Sequence, residues 1–276
     1  MKKLLPFALT ATLALGSAPA TQAQKAPSPY KTSFAVDGSI ILGEGLLSGL
    51  GLYLVQQKSG LNEAGQALLN KNDVPKIDRW SAGWYSDDWQ LASDLGCYPT
   101  LVIAPALLAL NDNVRGRYGQ MLGLYVQTVL GADALFTMSV GTTTRYRPYL
   151  YGTEGGSGRG GKIATNSFFA GHTAHTAAAT FFAAKAMHDF NPGYQGEAFV
   201  WTAAAAVPAF VAYSRIKAGK HFLTDNLVGY TVGAGLGILV PQLHKTGEKM
   251  GASLVPIQGV NANGYAYSGL LLTKKL

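Results

Sequence analysis

Residues 212–229, AYSRIKAGKHFLTDNLVG, concentrate charge in a chain that otherwise avoids it. Arg215 carries a planar guanidinium that can bind two phosphate oxygens at once, and His221 carries a ring that can act as a nucleophile when neutral. Asp225 follows four residues later, on the same face if the stretch is helical, so its carboxylate is expected to accept the other ring N–H of His221. A solvated loop is the simpler interpretation, but it does not account for the His–Asp spacing.

Two further stretches carry residue types of the same chemistry. TTTRYRPYL contains Arg145 and Arg147, and NSFFAGHTAH contains Gly171 and His172. Glycine at a helix start lets oriented backbone N–H groups approach an anion closely. Each stretch alone is a weak signal, because Arg-x-Arg-Pro usually ends a solvated helix and a histidine in an Ala-rich helix is usually structural.

The order of the three stretches resembles the type 2 phosphatidic acid phosphatase (PAP2) superfamily, which also contains bacterial acid phosphatases and vanadium haloperoxidases. That family's pattern is Lys, six residues, Arg-Pro; then Pro-Ser-Gly-His; then Ser-Arg, five residues, His, three residues, Asp. The third motif is matched in full from Ser214 to Asp225. The resemblance covers residues 80–245 and implies a phosphatase that works through a phosphohistidine.

The resemblance also implies a role for each matching residue. His221 is the expected nucleophile, Asp225 orients it, and His172 is the general acid for the leaving oxygen. Phosphoryl transfer spreads negative charge over three oxygens, which the protein must stabilise if no metal takes part. The expected phosphate-binding residues are Arg147, Arg215 and Gly171, with Arg145 and Ser214 as further candidates.

Three positions, in two motifs, depart from the family pattern. The lysine of the first motif should fall at Val140, and the Pro-Ser of the second motif is replaced by Phe169 and Ala170. Arg145 could compensate for the missing lysine, and Lys162, in a Gly-rich connector, is a second candidate. We expect these losses to weaken phosphate binding without abolishing turnover.

A metal site is a less favoured interpretation of the same histidines. His175 follows His172 by three residues, so His172, His175, His221 and Asp225 could surround a metal ion. The HExxH signature is absent, and a hydrogen-bonded helix histidine explains His175 better. We therefore predict neither a metal nor another cofactor. Cys97, the single cysteine, is expected to be a buried thiol.

Six apolar runs of helical length surround these motifs, and charged turns separate them. They predict an all-α bundle of about six helices. The predicted boundaries are a signal peptide over residues 1–23, a polar lead-in over 24–39, a PAP2-like domain over 40–245 and a tail over 246–276. The tail alternates weakly and predicts a short hairpin around Asn263 and Gly264.

The N-terminus and the charge pattern indicate the cell envelope. The start MKKLLPFALTATLALGSAPATQAQ has the pattern of a secretory signal peptide. Arg115, Arg117, Lys185 and Lys245 would mark the cytoplasmic side, with the three motifs facing the periplasm. A cleaved leader then prevents residues 40–57 from crossing fully. That segment would lie in the interface, the leader would stay attached as an anchor, or the bundle would be a soluble periplasmic one.

The composition limits the kinds of molecule that the protein is expected to bind. The chain has 276 residues, a net charge of +7 and 13% charged residues, about half the usual share. No run of five basic residues occurs, which disfavours nucleic acid and leaves membrane lipids and phosphorylated substrates.

The leading hypothesis is a metal-independent phosphatase for a lipid phosphate or a small phosphoester. Phosphatidate, polyprenyl diphosphate and lipid A are candidate lipids. The alternatives are a weakened phosphate-binding envelope protein and, less favoured, a vanadium haloperoxidase.

Overall fold

The computed structural model describes residues 27–155, 159–246, 252–260 and 266–274. Their regular elements comprise helices that form a bundle and two strands at the C-terminal end. The elements are α1 Phe34–Gln57, α2 Glu63–Ala67, α3 Lys76–Arg79, α4 Asp87–Leu110, α5 Asp112–Arg115, α6 Tyr118–Thr142, α7 Gly171–Phe190, α8 Glu197–Lys217, α9 Leu223–His244, β1 Ala252–Val260 and β2 Ala266–Lys274.

The six long helices, α1, α4, α6, α7, α8 and α9, confirm the predicted all-α bundle. Helix α7 lies at its centre and packs against α4, α6, α8 and α9, whereas α1 packs on the outer side of α6. The core face of α7 consists of small residues, and Ala174, Ala177 and Ala178 are fully buried. Small side chains let neighbouring helices approach closely, which suits a central helix.

Glycines on α9 bring that helix against α7. A Cβ atom at Gly229 would lie 2.5 Å from the Ala170 carbonyl oxygen, and one at Gly233 would lie 2.1 Å from the Ala174 carbonyl oxygen. These residues are four apart and therefore share one face of α9. The close packing places the start of α9 beside the start of α7, where two of the three motifs lie.

The turn between α8 and α9 also needs a glycine. Gly219 has φ +67°, and a Cβ atom there would lie 1.8 Å from the Trp84 carbonyl oxygen. This position favours glycine both for its left-handed backbone and for lack of space. The tight turn holds His221 against the end of the bundle.

The helices alternate in direction, so the three motifs meet at one end of the bundle, as predicted. That end contains the starts of α4, α7 and α9 and the ends of α1, α6 and α8. The start of α1 lies at the opposite end, where the Tyr30 hydroxyl donates to Asp189 at 2.6 Å and the Lys31 N–H donates to the His244 carbonyl at 2.8 Å.

Helix α1 begins earlier than the apolar segment that the sequence predicts from residue 40. Helix α1 begins at Phe34, inside the predicted polar lead-in, because Ser33 caps it by accepting from the Val36 N–H. The result is a 24-residue helix in place of the 18-residue segment from 40 to 57. The predicted signal peptide, residues 1–23, lies outside the described residues.

The C-terminal hairpin is confirmed. Strands β1 and β2 pair antiparallel with Ala252 opposite Lys274 and Val260 opposite Ala266. The predicted turn residues, Asn263 and Gly264, lie outside the described residues.

The outer surface of the bundle is apolar. Leu46, Leu95 and Val102 are each more than 60% exposed, on α1 and α4. In the described part of the chain, five helices, α1, α4, α6, α8 and α9, are long and apolar enough to cross a bilayer. A soluble protein rarely exposes apolar surface on this scale, so the bundle is membrane-associated.

Candidate active site

A cavity of about 580 Å³ opens at the bundle end where the motifs meet. Its polar end is formed by Arg147, Gly171, His172, Arg215 and His221, all of which were predicted from the sequence. The rest of the cavity is mainly apolar and lies between α4 and α6. The structure therefore joins a cationic end to an apolar channel in one continuous space.

His221 is buried and is held in one tautomer. Its Nδ1 lies 2.6 Å from the backbone carbonyl oxygen of Ser167. A carbonyl only accepts, so Nδ1 carries the proton and Nε2 keeps its lone pair. Burial, and then the charges of Arg147 and Arg215, hold the pKa of His221 well below its usual value. The ring is therefore neutral near pH 7, as a nucleophile must be.

Asp225 does not bind His221 directly, which corrects the prediction. Its Oδ2 accepts from the Ser167 hydroxyl at 2.6 Å and from the Phe222 N–H at 2.8 Å. Ser167 holds the imidazole, so Asp225 acts on His221 through Ser167. The contact with Phe222 also caps α9. The predicted direct contact does not form because the backbone carbonyl of Ser167 already accepts the hydrogen bond from Nδ1.

Arg147 and Arg215 have buried donors with no acceptor. Within the described residues, the Nε atoms of both are buried and unpaired. Arg147 Nη2 donates to the Asn166 carbonyl at 3.2 Å, and Arg215 Nη1 donates to the Ser93 hydroxyl at 3.3 Å and lies 3.8 Å from Asp94. Burying two guanidinium groups with so few partners lowers the stability of the fold unless an anion binds between them.

His172 lies at the start of α7 with a carboxylate at one ring nitrogen. Its Nε2 is 2.9 Å from Asp94 Oδ1, and its ring packs edge-on against Tyr98 at 5.3 Å. An ionised carboxylate accepts, so Nε2 carries a proton, while burial and then the charge of Arg215 hold the pKa of His172 well below its usual value. Asp94 was not predicted.

The first turn of α7 points into the cavity through Gly171. A Cβ atom there would lie 2.8 Å from the Phe136 ring, so glycine is needed for packing as well as for access. Ala170 is the N-cap residue, and no side chain caps the helix. The uncapped N–H groups of this turn suit an anion.

Three predicted phosphate-binding residues lie elsewhere. Arg145 is held between the buried carboxylates of Asp78 and Asp225, so it stabilises the base of the site and does not replace the missing lysine. The Ser214 hydroxyl donates to the Phe210 carbonyl at 2.8 Å, one turn back in α8. Lys162 donates to the Gln56 carbonyl at the end of α1. Arg147 and Arg215, close in the chain to Arg145 and Ser214, line the cavity, but the side chains of Arg145, Ser214 and Lys162 bind other groups.

Two lysines near the site were not predicted to take part. Lys58 Nζ donates to the carbonyls of Val140 and Thr143 and to Asn166 Oδ1, at 2.9, 2.8 and 2.6 Å. Lys58 thus binds the backbone of Val140, the residue that stands where the family has lysine, while the Val140 side chain itself is buried. Lys58 lies far from the three motifs in the sequence, so no motif spacing could have indicated it.

Lys220, in the turn between α8 and α9, is partly buried. Its Nζ lies over the rings of Tyr149, at 5.1 Å, and Tyr85, at 5.6 Å. Burial, followed by the charges of Arg147 and Arg215, lowers its pKa to about 8. Lys220 is therefore a third cation close to the two arginines.

The three histidines of the metal hypothesis have separate partners. His175 Nε2 lies 3.1 Å from Asp133 Oδ1, which fits the predicted hydrogen-bonded helix histidine. His172 binds Asp94, and His221 binds Ser167. No group of three His, Cys, Asp or Glu residues is placed to hold a metal within the described residues. Cys97 is buried, as predicted.

The fold and the site together define a membrane-associated helical bundle with a cationic, histidine-containing cavity. Residues 122–249 match the family model of the PAP2 superfamily, which confirms the resemblance that the three motifs indicated. Phosphatase chemistry is therefore supported at the level of the family. No curated protein matches the sequence.

Among solved structures, the chain is similar to a transmembrane PAP2-type phosphatidylglycerolphosphate phosphatase from Bacillus subtilis. The two share 19% sequence identity with a TM-score of 0.41, over 75% of this chain and 94% of that chain.

Proposed function

We propose that the protein is a metal-independent phosphatase of a membrane lipid phosphate that works through a phosphohistidine at His221. The observation that carries the proposal is the pair of buried, unpaired Nε donors on Arg147 and Arg215, beside the Nε2 lone pair of His221. A phosphate dianion placed there satisfies both guanidinium groups and presents phosphorus to the nucleophile.

The reaction has two steps. His221 Nε2 attacks phosphorus and forms the N–P bond while the bond from phosphorus to the lipid oxygen breaks. His172 takes up a proton at Nδ1 once the bound phosphate offsets the charges of the arginines, and it gives this proton to the departing oxygen while Nε2 stays bonded to Asp94. Water then attacks phosphorus, the N–P bond breaks, and His172 takes a proton from the water. Inorganic phosphate and the lipid alcohol are the products.

The cavity supports a lipid as the substrate. Beyond the polar end it is lined by apolar side chains of α4 and α6, among them Leu101, Val126 and Val129. These helices contact each other little, because both pack on α7. An acyl or prenyl chain can therefore occupy the space between them while the phosphate lies at the arginines.

We also propose that the site faces the periplasm. The start of α1 lies at the opposite end of the bundle, so residues 27–33 are then at the cytoplasmic side. A leader removed in the periplasm does not fit this arrangement, so the leader stays attached.

The test is phosphate release from a short-chain phosphatidate and from p-nitrophenyl phosphate in detergent with EDTA. We expect release that orthovanadate inhibits, and a ³²P-labelled, acid-labile phosphoenzyme that is absent from the His221→Ala variant. Arg215→Lys keeps the charge but loses the planar fork, and we expect it to lower kcat/KM about 10- to 100-fold. Binding of orthovanadate without release from either substrate would favour the phosphate-binding protein instead.

A further inference from the structure

A second His–Asp pair lines the same cavity and has no part in the reaction above. His175 Nε2 lies 3.1 Å from Asp133 Oδ1, and the two residues come from α7 and α6. Both line the cavity, with side-chain exposures of 17% and 31%. Ionisable residues inside apolar helices are costly and usually mark a functional site.

The pair offers a hydrogen-bond acceptor to the cavity. An ionised carboxylate can only accept, so His175 donates from Nε2 and keeps a lone pair on Nδ1. No protein group binds Nδ1 in the part of the chain that the structure describes. The Phe136 ring packs edge-on against the imidazole at 5.9 Å. Such apolar surroundings strengthen a hydrogen bond to an O–H donor.

The position of the pair relates it to the leaving group. His175 follows His172 by three residues in α7, a rise of about 4.5 Å along the helix axis. His172 lies at the departing oxygen in the proposed reaction, so His175 lies beside the carbon atoms next to that oxygen. A hydroxyl group two or three bonds from the scissile oxygen is within reach of Nδ1.

We propose that Asp133 and His175 form a binding site for a hydroxyl group on the leaving alcohol, so that the protein selects lipid phosphates with a free hydroxyl near the phosphate. A lysophosphatidate has such a group, whereas diacyl phosphatidate presents ester oxygens, which cannot donate. The proposal rests on the proposed function, because the phosphate must lie between the arginines. A purely structural link between α6 and α7 would not discriminate between lipids that differ by one hydroxyl.

The experiment compares two lipids in the His221→Ala protein in detergent, where binding is measured without turnover. One lipid is 1-oleoyl lysophosphatidate, and the other is the same molecule without the free hydroxyl. We expect the hydroxyl lipid to bind about 10-fold more tightly. Adding His175→Phe should reduce the ratio to about one, and His175→Gln, which keeps an acceptor, should restore part of it. Val129→Ala alters the same cavity without touching the pair and should leave the ratio unchanged.

Each outcome decides the proposal. Equal binding of the two lipids overturns it, as does failure of both to bind, or a ratio that His175→Phe leaves intact. If His175→Phe does not fold, the ratio in the parent protein still decides between selection and no selection. A wild-type protein that hydrolyses neither lipid, while the His221→Ala protein still prefers the hydroxyl lipid, contradicts the proposed function and leaves this binding site standing.

Discussion

His221 and Asp225 are joined through Ser167. The backbone carbonyl of Ser167 accepts from the imidazole, and its hydroxyl donates to the carboxylate, each at 2.6 Å. Asp225 in turn pairs with Arg145, which also pairs with Asp78 at 2.6 Å. The orientation of the nucleophile therefore depends on a polar network beneath the cavity, where the sequence pattern alone predicted a His–Asp couple.

Ser167→Ala tests this network. The carbonyl that holds His221 remains, but Asp225 loses one hydrogen bond in a buried place. We expect the free energy of unfolding to fall by about 1–3 kcal/mol and kcat to fall about 10-fold, with the phosphoenzyme still formed. Thermal unfolding and phosphoenzyme trapping measure the two effects.

Thr231→Ala is the matched control, because the Thr231 hydroxyl is exposed and bonds only within α9, to the Leu227 carbonyl. We expect it to change neither quantity measurably. Wild-type kcat in Ser167→Ala would show that the hydroxyl has no part in positioning His221.

The network explains which parts of the site the sequence could predict. His221, His172, Arg147 and Arg215 lie in motifs whose spacing directs them to one bundle end, so they were found. Ser167 acts through its backbone carbonyl, which no residue type reveals.

The other missed residues lie outside the motifs. Asp94 and Asp133 are acidic residues in apolar helices, and that signal could have singled them out. Lys58 is brought to the site only by the packing of α1 on α6. The six helices were predictable because each needs only an apolar run, whereas these contacts depend on how the helices pack.

Lys220 should set an upper pH limit, near pH 8, above which kcat/KM falls. Burial and the nearby arginines lower its pKa to about 8, so its charge is present below that pH and is lost as the pH rises through it. A weaker attraction for the phosphate dianion should follow, and kcat/KM should fall above pH 8. His221 cannot cause this limit, because it is already neutral.

A pH profile of two variants measures this effect. Lys220→Arg keeps its charge and should move the limit to higher pH. Lys220→Met should remove the limit and lower kcat/KM about 10-fold at pH 7. In Lys217→Met the limit should stay, because Lys217 lies over the Trp84 ring at 4.4 Å, whereas Lys220 lies over the Tyr149 and Tyr85 rings. An unmoved limit in Lys220→Arg would assign it to another group.

Lys58 should stabilise the loop that carries Arg147. Its ammonium group binds Asn166 Oδ1 at 2.6 Å, and the Asn166 carbonyl accepts from Arg147 Nη2 at 3.2 Å. Lys58→Met leaves several oxygens without their donor, so we expect about 10-fold lower kcat/KM and a lower Tm. Kinetics and thermal unfolding test this.

Lys162→Met is the comparison for Lys58→Met. Lys162 is exposed and bonds one carbonyl, that of Gln56, so its removal should have little effect on either quantity. Equal losses in the two variants would mean that a general loss of positive charge, and not the contact with Asn166, causes the effect.

The orientation of the bundle can be measured with single cysteines, since the native Cys97 is buried. Lys76 is exposed at the site end, and Arg115 is exposed at the opposite end. If the site faces the periplasm, a membrane-impermeant maleimide should label Lys76→Cys in intact spheroplasts and label Arg115→Cys only after the membrane is permeabilised.

The reverse labelling pattern would place the site in the cytoplasm and the start of α1 outside, which is the arrangement that a cleaved leader requires. Mass spectrometry of the purified chain gives an independent reading, because a periplasmic site requires residues 1–23 to remain attached. The direction of α1 through the bundle determines both which cysteine is labelled and whether a leader can be removed. The two results must therefore agree if all six long helices cross the membrane together.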